Sequence, residues 1–343
     1  MRHLLNTLFV LKEDAYLSLE NDNVVISQGD AVLKRIPLNI LEQILYFGYK
    51  GVSPALMEAC SKKNTALCLY RPSGRFIARV NGRQYGNVLL RKTQYRISDD
   101  LTASCLIARN FIVGKIYNSR SVLERAKRDH GLVLDGEKLS DASREVLSIA
   151  RIAKNCTDLD TLRGLEGQAA SIYFSLFDML ILQNKHYFKF NCRIKRPPVD
   201  AVNAMLSFAY TLLANDCASA LEGVGLDPYV GFLHRDRPGR ISLALDLMEE
   251  FRSIVADRFV LTLINNRLVN PKSFNVQENG VVLMTETARK SFLNAWQEKK
   301  RDTITHPFLA EKISWGLVPF VQAQLLSRVL RGDLEEYPCF LWK

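Results

Sequence analysis

Three separate segments of the sequence each carry a side chain suited to binding a hard metal ion. Glu166 lies in LRGLEGQAAS, His234 lies in GFLHRDRPGR, and the pair Asp246 and Glu249 lies in LALDLMEEFR. Two carboxylates and one imidazole form an oxygen-rich mixed ligand set, which favours Mg²⁺ or Mn²⁺, and the nitrogen ligand makes Mn²⁺ the better fit. These residues therefore predict a divalent metal site.

Three protein ligands leave coordination positions open for a phosphate oxygen and an attacking oxygen, as metal-assisted phosphodiester chemistry requires. A catalytic zinc site with His and Glu ligands is an alternative. The sequence lacks the HExxH spacing of zinc peptidases, which argues against that class of enzyme. Each segment also has a purely structural interpretation: a glutamate paired with Arg163 or another base at the edge of the core, a solvated acidic helix face, or a surface or satisfied core histidine.

The chain is strongly basic, with a formal net charge of +10. Nine basic residues and no acidic residue lie between positions 59 and 98, which creates a field that attracts phosphate or an acidic protein surface. Arg235, Arg237 and Arg240 surround His234 and could hold phosphates beside it. Solvated surface arginines are the alternative, because a block of charge indicates a class of partner and not a contact.

Local sequence patterns predict which elements position the candidate ligands. Glu166 lies beside the apolar stripe of a helical segment, so its carboxylate is expected to point sideways toward neighbouring helices. Asp246 and Glu249 are three residues apart and project from one face of a second helix. His234 lies among glycines and prolines, which predicts a loop or a helix end. The site is thus predicted to combine two helices and a bend.

The predicted fold class is α+β, with a small β-rich amino-terminal domain followed by a larger all-helical carboxy-terminal catalytic domain. Short alternating segments such as TLFVLK, AYLSLE and NVVIS predict a sheet within residues 1–85. One helix is expected to begin at Ser53 and Pro54. The polar and basic stretch 86–97 is interpreted as a linker, and long helical periodicities predict the second domain at 98–343.

Composition indicates an ordinary globular protein long enough for two domains, with 343 residues of which 48% are hydrophobic. No apolar run approaches the roughly 20 residues needed to cross a bilayer. The seven cysteines are scattered and never form a CxxC pair, which argues against a disulfide framework and a thiolate zinc site. We therefore expect a cytoplasmic protein with no membrane segment.

Five segments together carry a more specific signal. They are, in order, IARNFIVGKIYN, LRGLEGQAAS, RPPVDAVNAMLSFAY, GLDPYVGFLHRDRPGR and LALDLMEEFRSIVADR. With these segments the chain resembles the Cas1 family, the CRISPR-associated endonucleases and integrases of spacer acquisition, over nearly its whole length. The ending YPCFLWK and the length resemble members of subtype I-C.

The resemblance implies a set of site residues. The metal ligands of the family fall on Glu166, His234 and Glu249. Asp246 matches an additional acid of the catalytic set, which could hold a second metal, orient His234 through a hydrogen bond, or bind the first metal indirectly. Contacts to DNA are expected from five basic residues, namely Arg235, Arg237, Arg240, Arg109 and Lys115.

The resemblance also implies partners and a reaction. The chain is expected to form a homodimer through its amino-terminal domain and to act with the small protein Cas2 on double-stranded DNA, namely the captured prespacer and the CRISPR repeat. With Mg²⁺ or Mn²⁺, a 3′-hydroxyl would attack a phosphodiester of the repeat, and endonuclease activity would use water at the same site. Because the bonds broken and made are alike, such a site must chiefly position oxygens and stabilise charge.

Two rival functions belong to other classes. The first is a noncatalytic basic scaffold that binds nucleic acid and whose carboxylates only form ion pairs. The second is a zinc hydrolase that acts on a small substrate.

Overall fold

The computed structural model describes residues 7–41, 43–63, 65–71, 76–80, 87–194 and 197–342. The chain divides into two compact units. One consists of Met1–Gly86 together with Arg289–Asp302, and the other consists of Asn87–Ala288 together with Thr303–Lys343.

Strands β1 to β7 of the first unit form two sheets. They are β1 (Thr7–Val10), β2 (Tyr16–Glu20), β3 (Asn23–Gln28), β4 (Ala31–Pro37), β5 (Gln43–Tyr46), β6 (Ala66–Tyr70) and β7 (Phe76–Val80). Strands β2, β3 and β4 pair antiparallel, whereas the second sheet has the order β1-β5-β6-β7, with β7 antiparallel to β6. Side chains such as Leu17, Val24, Ile44 and Leu67 form the buried core. The predicted β-rich amino-terminal region is confirmed.

Helix α1 (Pro54–Lys62) begins as its sequence predicts. The Ser53 hydroxyl oxygen accepts a hydrogen bond from the Leu56 N–H at 3.2 Å, and Pro54 occupies the first helical position. Leu56 and Cys60, one turn apart, are both fully buried and belong to the core of this unit. The cap satisfies a backbone donor that the helix itself leaves free, which fixes where the helix starts.

The second unit is predominantly helical, as predicted. Its helices are α2 (Val88–Asp99), α3 (Leu101–His130), α4 (Gly136–Lys154), α5 (Leu159–Ser175), α6 (Ala201–Gly223), α7 (Ser242–Glu249), α8 (Arg258–Asn265) and α10 (Val318–Arg331), while most of α9 (Glu286–Arg301) belongs to the first unit. Helix α3 packs against α4, α5 and α7. None of the helices within the described ranges combines the length and apolar character needed to cross a bilayer.

The predicted linker, 86–97, is not a linker over most of its length, because Val88–Asp99 form α2. Leu90 and Gln94, one turn apart, are buried. The Gln94 amide donates to the backbone carbonyls of Asp227 at 2.7 Å and Val230 at 2.8 Å. A polar side chain therefore occupies the buried face of this helix, and hydrophobic periodicity alone could not reveal it.

The region 98–343 also differs from the predicted all-helical domain in two details. Short antiparallel ladders join β8 (Phe274–Val276) to β9 (Val282–Met284) and β10 (Thr303–Thr305) to β11 (Lys312–Ser314). Residues 289–302 group with the first unit. Two members of the basic block, Arg75 and Arg83, lie outside the described residues.

The helix predicted to carry Asp246 and Glu249 is divided. Helix α7 ends at Glu249, a π-helical segment spans Arg252–Asp257, and α8 begins at Arg258. Because a π-helical turn is wider than an α-helical one, side chains beyond Glu249 are rotated relative to a regular helix. Such segments are frequent at functional sites.

Candidate functional site

A mostly buried lysine joins the two carboxylates predicted to bind metal. The Lys115 Nζ, on α3, forms an ion pair with Glu166 Oε1 and lies 2.7 Å from Glu249 Oε2. Glu166 comes from α5, whose first turn is capped by the Asp158 carboxylate at 2.7 Å from the Thr161 N–H. The carboxylates of α5 and α7 therefore converge on one point, where the ammonium group lies.

Glu249 is 3% exposed, yet it is held as an ion. Burial alone would raise its pKa, but the nearby charges of Arg252 and Lys115, with a smaller contribution from His234, outweigh burial and hold the pKa of Glu249 well below its usual range. Arg252 donates to Glu249 Oε1 at 2.8 Å. Glu249 Oε2 is buried and makes no hydrogen bond of good geometry, although Lys115 is close. This oxygen retains a lone pair for a cation.

Asp246 is fully buried and organises the loop that carries His234. One carboxylate oxygen accepts from the N–H groups of Phe232 at 2.6 Å and Leu233 at 2.9 Å. The other accepts from the His234 N–H at 3.1 Å and lies 2.6 Å from the His234 Nδ1. A carboxylate only accepts hydrogen bonds, so Nδ1 carries a proton in this contact, and Nε2 is the ring nitrogen that Asp246 does not bind. Of the three roles open for Asp246, this geometry favours orienting His234.

The same loop is fixed from two further directions. Gly231 lies so close to α7 that a Cβ atom would stand 2.8 Å from Asp246 Oδ2, which excludes any larger residue without movement. The Arg163 guanidinium donates to the Leu233 carbonyl at 2.6 Å. Arg163 also pairs with Asp160, so the base that pairs with Glu166, as the structural interpretation expects, is Lys115 and not Arg163.

The donor set can be tested against a divalent cation. Within the part of the chain that the structure describes, no three His, Cys, Asp or Glu side chains stand together as a ready metal site. Lys115 occupies the point on which Glu166 and Glu249 converge. Two carboxylates that face one cationic position, one of them with a buried oxygen that only Lys115 approaches, and a histidine whose Nε2 is not bound by Asp246 nevertheless fit Mg²⁺ or Mn²⁺.

The five residues predicted to contact DNA lie in different surroundings. Arg235 and Arg237, beside His234, are exposed, and Arg240 is half-buried. Arg109 pairs with Glu336 at 3.3 Å. Lys115 lies inside the carboxylate cluster, with its side chain 12% exposed. Arg235 and Arg237 therefore present the most exposed charge beside the loop, and Arg235 also lies 3.8 Å from the Asp160 carboxylate.

Sequence reasoning missed two residues that shape the site, Arg252 and Gln94, and gave a third, Lys115, a contact to DNA instead of its place between the carboxylates. Arg252 neutralises Glu249, Lys115 joins the carboxylates, and Gln94 holds the backbone of the loop before His234. The spacing of three residues between Glu249 and Arg252 was a usable signal for an ion pair on one helix face. Neither Lys115 nor Gln94 gives such a local signal, because their partners are distant in sequence.

A second buried acid, Asp257, leads to a pH prediction. Burial raises the pKa of Asp257 to about 6. The hydrogen bonds from Tyr210 and Tyr173 and the charges of Arg252 and Arg193 lower this pKa, but they do not outweigh burial. The folded state then binds this proton more tightly than the unfolded chain. The contribution of Asp257 to the free energy of unfolding is therefore greatest below about pH 4 and is lost as the pH rises through about 6.

The Asp257→Asn substitution removes this titration. The measurement is the free energy of unfolding by urea denaturation at several pH values. We expect the difference between variant and wild type to shift in favour of the variant by about 2–3 kcal/mol as the pH rises from 4 to 7. Asp333→Asn, an exposed replacement, controls for the loss of one charge. A difference between Asp257→Asn and wild type that stays constant over this pH range would contradict the prediction.

Comparison with known proteins identifies the family. The family model described as CRISPR associated protein Cas1 matches residues 8–298. The chain belongs to the Cas1 family. The CRISPR-associated endonuclease Cas1 1 of Chlorobaculum tepidum is 46% identical over 343 residues, which is the full length of both chains.

Two solved structures share the fold. A casposase bound to integration product superposes with a TM-score of 0.83 at 23% identity, covering 98% of this chain and 94% of that one. A Cas6-RT-Cas1–Cas2 complex superposes with a TM-score of 0.82 at 19% identity, covering 100% of this chain and 36% of that one. Members of the Cas1 family are CRISPR-associated endonucleases, so the chain is placed among DNA-cutting enzymes.

Proposed function

We propose that the chain is a metal-dependent CRISPR integrase and endonuclease, in which Glu166, His234 and Glu249 hold a Mn²⁺ or Mg²⁺ ion. The observation that carries the proposal is the convergence of Glu166 and Glu249, from two different helices, on one cationic position. His234, oriented by Asp246, supplies the third donor through Nε2. A bound divalent cation would neutralise charge that develops on phosphorus and favour ionisation of the attacking hydroxyl.

The side chains around the site have separate tasks in this proposal. Arg252 keeps Glu249 ionised although it is buried. Asp246 fixes the imidazole and three backbone amides of the loop, so His234 needs no reorganisation when the site is loaded. Arg235 and Arg237, exposed next to His234, hold the DNA backbone through phosphate contacts that carry no sequence information. Lys115 moves away from the carboxylates when the cation takes its place.

The partners of the chain are double-stranded DNA, as prespacer and repeat, and the Cas2 protein, with which it acts as a homodimer in the cytoplasm. Similarity to the casposase bound to integration product and to the Cas6-RT-Cas1–Cas2 complex supports integration and a Cas2 partner. The net charge of +10 supports a nucleic-acid partner. Assignment to subtype I-C rests on the ending YPCFLWK. A neighbouring reading frame for a small ferredoxin-like protein, next to an array of direct repeats, would support a CRISPR locus.

Removal of metal tests the proposal. We expect EDTA to abolish joining of a labelled DNA duplex to a plasmid that contains the repeat, and Mn²⁺ to restore it. His234→Ala should lower the joining rate by about 100-fold, because the loss of one donor weakens both cation binding and its placement. His186→Ala, an exposed histidine in the same unit, is the matched control.

The outcome separates the rival functions. Joining and cleavage that are unchanged in EDTA would indicate the noncatalytic scaffold. Stoichiometric zinc in the purified protein, together with indifference to DNA, would indicate the small-substrate zinc hydrolase. Full activity of His234→Ala would remove His234 from the proposed site.

A further inference from the structure

The C-terminal tail, residues 337–342, is bound next to the predicted metal ligand Glu249. Its anchor is Glu250, which is fully buried. The Glu250 carboxylate accepts from the Tyr337 hydroxyl, from the Phe340 N–H at 2.6 Å, and from the Gln322 amide on α10 at 3.3 Å. The side chains of these two consecutive residues therefore have different partners: Glu249 contacts Lys115, and Glu250 contacts the tail.

Helix α3 binds both of these neighbours. Lys115 pairs with the Glu249 side chain, and Asn118, three residues further on, donates at 2.7 Å to the backbone carbonyls of Glu250 and Phe340. The Asn118 side-chain oxygen also accepts from the Trp342 N–H at 2.8 Å. Residues three apart lie on the same side of a helix. One side of α3 thus fixes the side chain of Glu249, the backbone after it, and the tail.

Close packing makes this arrangement specific. A Cβ atom at Gly114 would lie 3.1 Å from the Cβ of Glu250 and 3.2 Å from the Cβ of Cys339, so the glycine allows α3, α7 and the tail to meet. Phe340 is fully buried, with its ring 5.8 Å from that of Trp315. The Trp342 ring is covered by the guanidinium of Arg258 at 4.3 Å.

The backbone at this point needs external support. Helix α7 ends at Glu249, and the π-helical segment begins only at Arg252. Between these two elements the regular helical hydrogen bonds are interrupted. The Glu250 carbonyl accepts a hydrogen bond from the Asn118 side chain. At such an interruption the direction of a side chain depends on contacts from outside the helix.

We propose that the C-terminal tail is a brace for the metal site, and that Glu250 is a positioning residue through which the tail sets the direction of the Glu249 carboxylate. This inference rests on the proposed function, since it takes Glu249 as a metal ligand. Without the tail, Glu250 loses two hydrogen-bond donors, Asn118 loses two of its partners, and the backbone that carries Glu249 loses support, so that Arg252 and Lys115 alone set the direction of its carboxylate. The cation then has one well-placed carboxylate fewer.

Direct measurement of Mn²⁺ binding tests the inference independently of activity. Mn²⁺ would be titrated into four proteins, and electron paramagnetic resonance would measure the fraction bound. The proteins are the full chain, a chain that ends at Glu336, and the single variants Glu250→Gln and Tyr337→Phe. We expect the dissociation constant to rise about 10-fold in the truncated chain and in Glu250→Gln, and less in Tyr337→Phe, with helical circular dichroism retained. A synthetic peptide of residues 336–343 should restore affinity to the truncated chain.

Glu335→Gln is the matched control, because Glu335 is exposed and lies two residues before the start of the tail while carrying the same charge. If both Glu250→Gln and Tyr337→Phe bind Mn²⁺ with wild-type affinity, the tail does not brace the metal site. These two variants also provide the test in case the truncated chain does not fold. Failure of the full chain itself to bind Mn²⁺ would instead contradict the proposed function.

Discussion

Glu166→Gln is expected to lower the rate of DNA joining and cleavage by at least about 100-fold, because loss of one charged ligand removes several kcal/mol of transition-state stabilisation. The substitution keeps the volume of the side chain and its place on α5. Lys115 retains Glu249 as its partner, at 2.7 Å. The free energy of unfolding should therefore change by no more than about 1 kcal/mol, since the Glu166 side chain is 28% exposed and its ion pair is partly screened by water.

The measurement is a single-turnover joining assay over a range of Mn²⁺ concentrations, with urea denaturation of the same samples. Glu145→Gln is the control, because it makes the same chemical change at an exposed position of α4. A partial recovery at high Mn²⁺ would agree with a ligand role for Glu166. Undiminished joining by a folded Glu166→Gln protein would exclude that role.

Asp246→Asn is expected to reduce both stability and activity. Each Asp246 oxygen accepts from two N–H groups, and an amide nitrogen in place of one oxygen would leave two buried donors without an acceptor. At about 1–3 kcal/mol for each of the two unsatisfied groups, the free energy of unfolding should fall by about 2–6 kcal/mol. The rate of joining should fall by about 10- to 100-fold, because His234 loses the group that fixes its ring.

Urea denaturation and the joining assay would be compared with those of Asp236→Asn. Asp236 is exposed and lies in the same loop, two residues after His234, so the control removes an equal charge from the same segment. Equal stability of the two variants would show that the hydrogen bonds of Asp246 do not hold the loop. A second-metal role for Asp246 would instead predict loss of activity with unchanged stability.

Several features of the molecule could be read from the sequence because they depend on neighbours along the chain. The start of α1 at Ser53 and Pro54 is an example, since the cap and its helix are contiguous. The strand-rich character of the first 80 residues and the helical character of the second unit are others. The resemblance to the Cas1 family was carried by motifs, and the family is confirmed. The metal ligands themselves stay a prediction.

Other features depend on contacts between distant residues. The acidic pair Asp246 and Glu249 had a solvated helix face as its alternative, yet both are buried, because backbone amides surround Asp246 and the cations Lys115 and Arg252 neutralise Glu249. The stretch 86–97 is interpreted as a linker because it is polar and basic, yet most of it belongs to a helix that docks through the polar side chain of Gln94. The π-helical segment adds only one residue to a turn, which a periodicity of charge and hydrophobicity does not resolve.

The convergence of Glu166 and Glu249 also bears on how a cell tolerates such an enzyme. A nuclease whose ligands all belonged to one short stretch could damage the genome while only partly folded. Here the two carboxylates come from α5 and α7, and they meet only when both helices are packed on α3. If Glu166 and Glu249 hold the cation as proposed, misfolded or broken copies would lack a complete cutting centre, and hazard to the host chromosome would be confined to intact molecules.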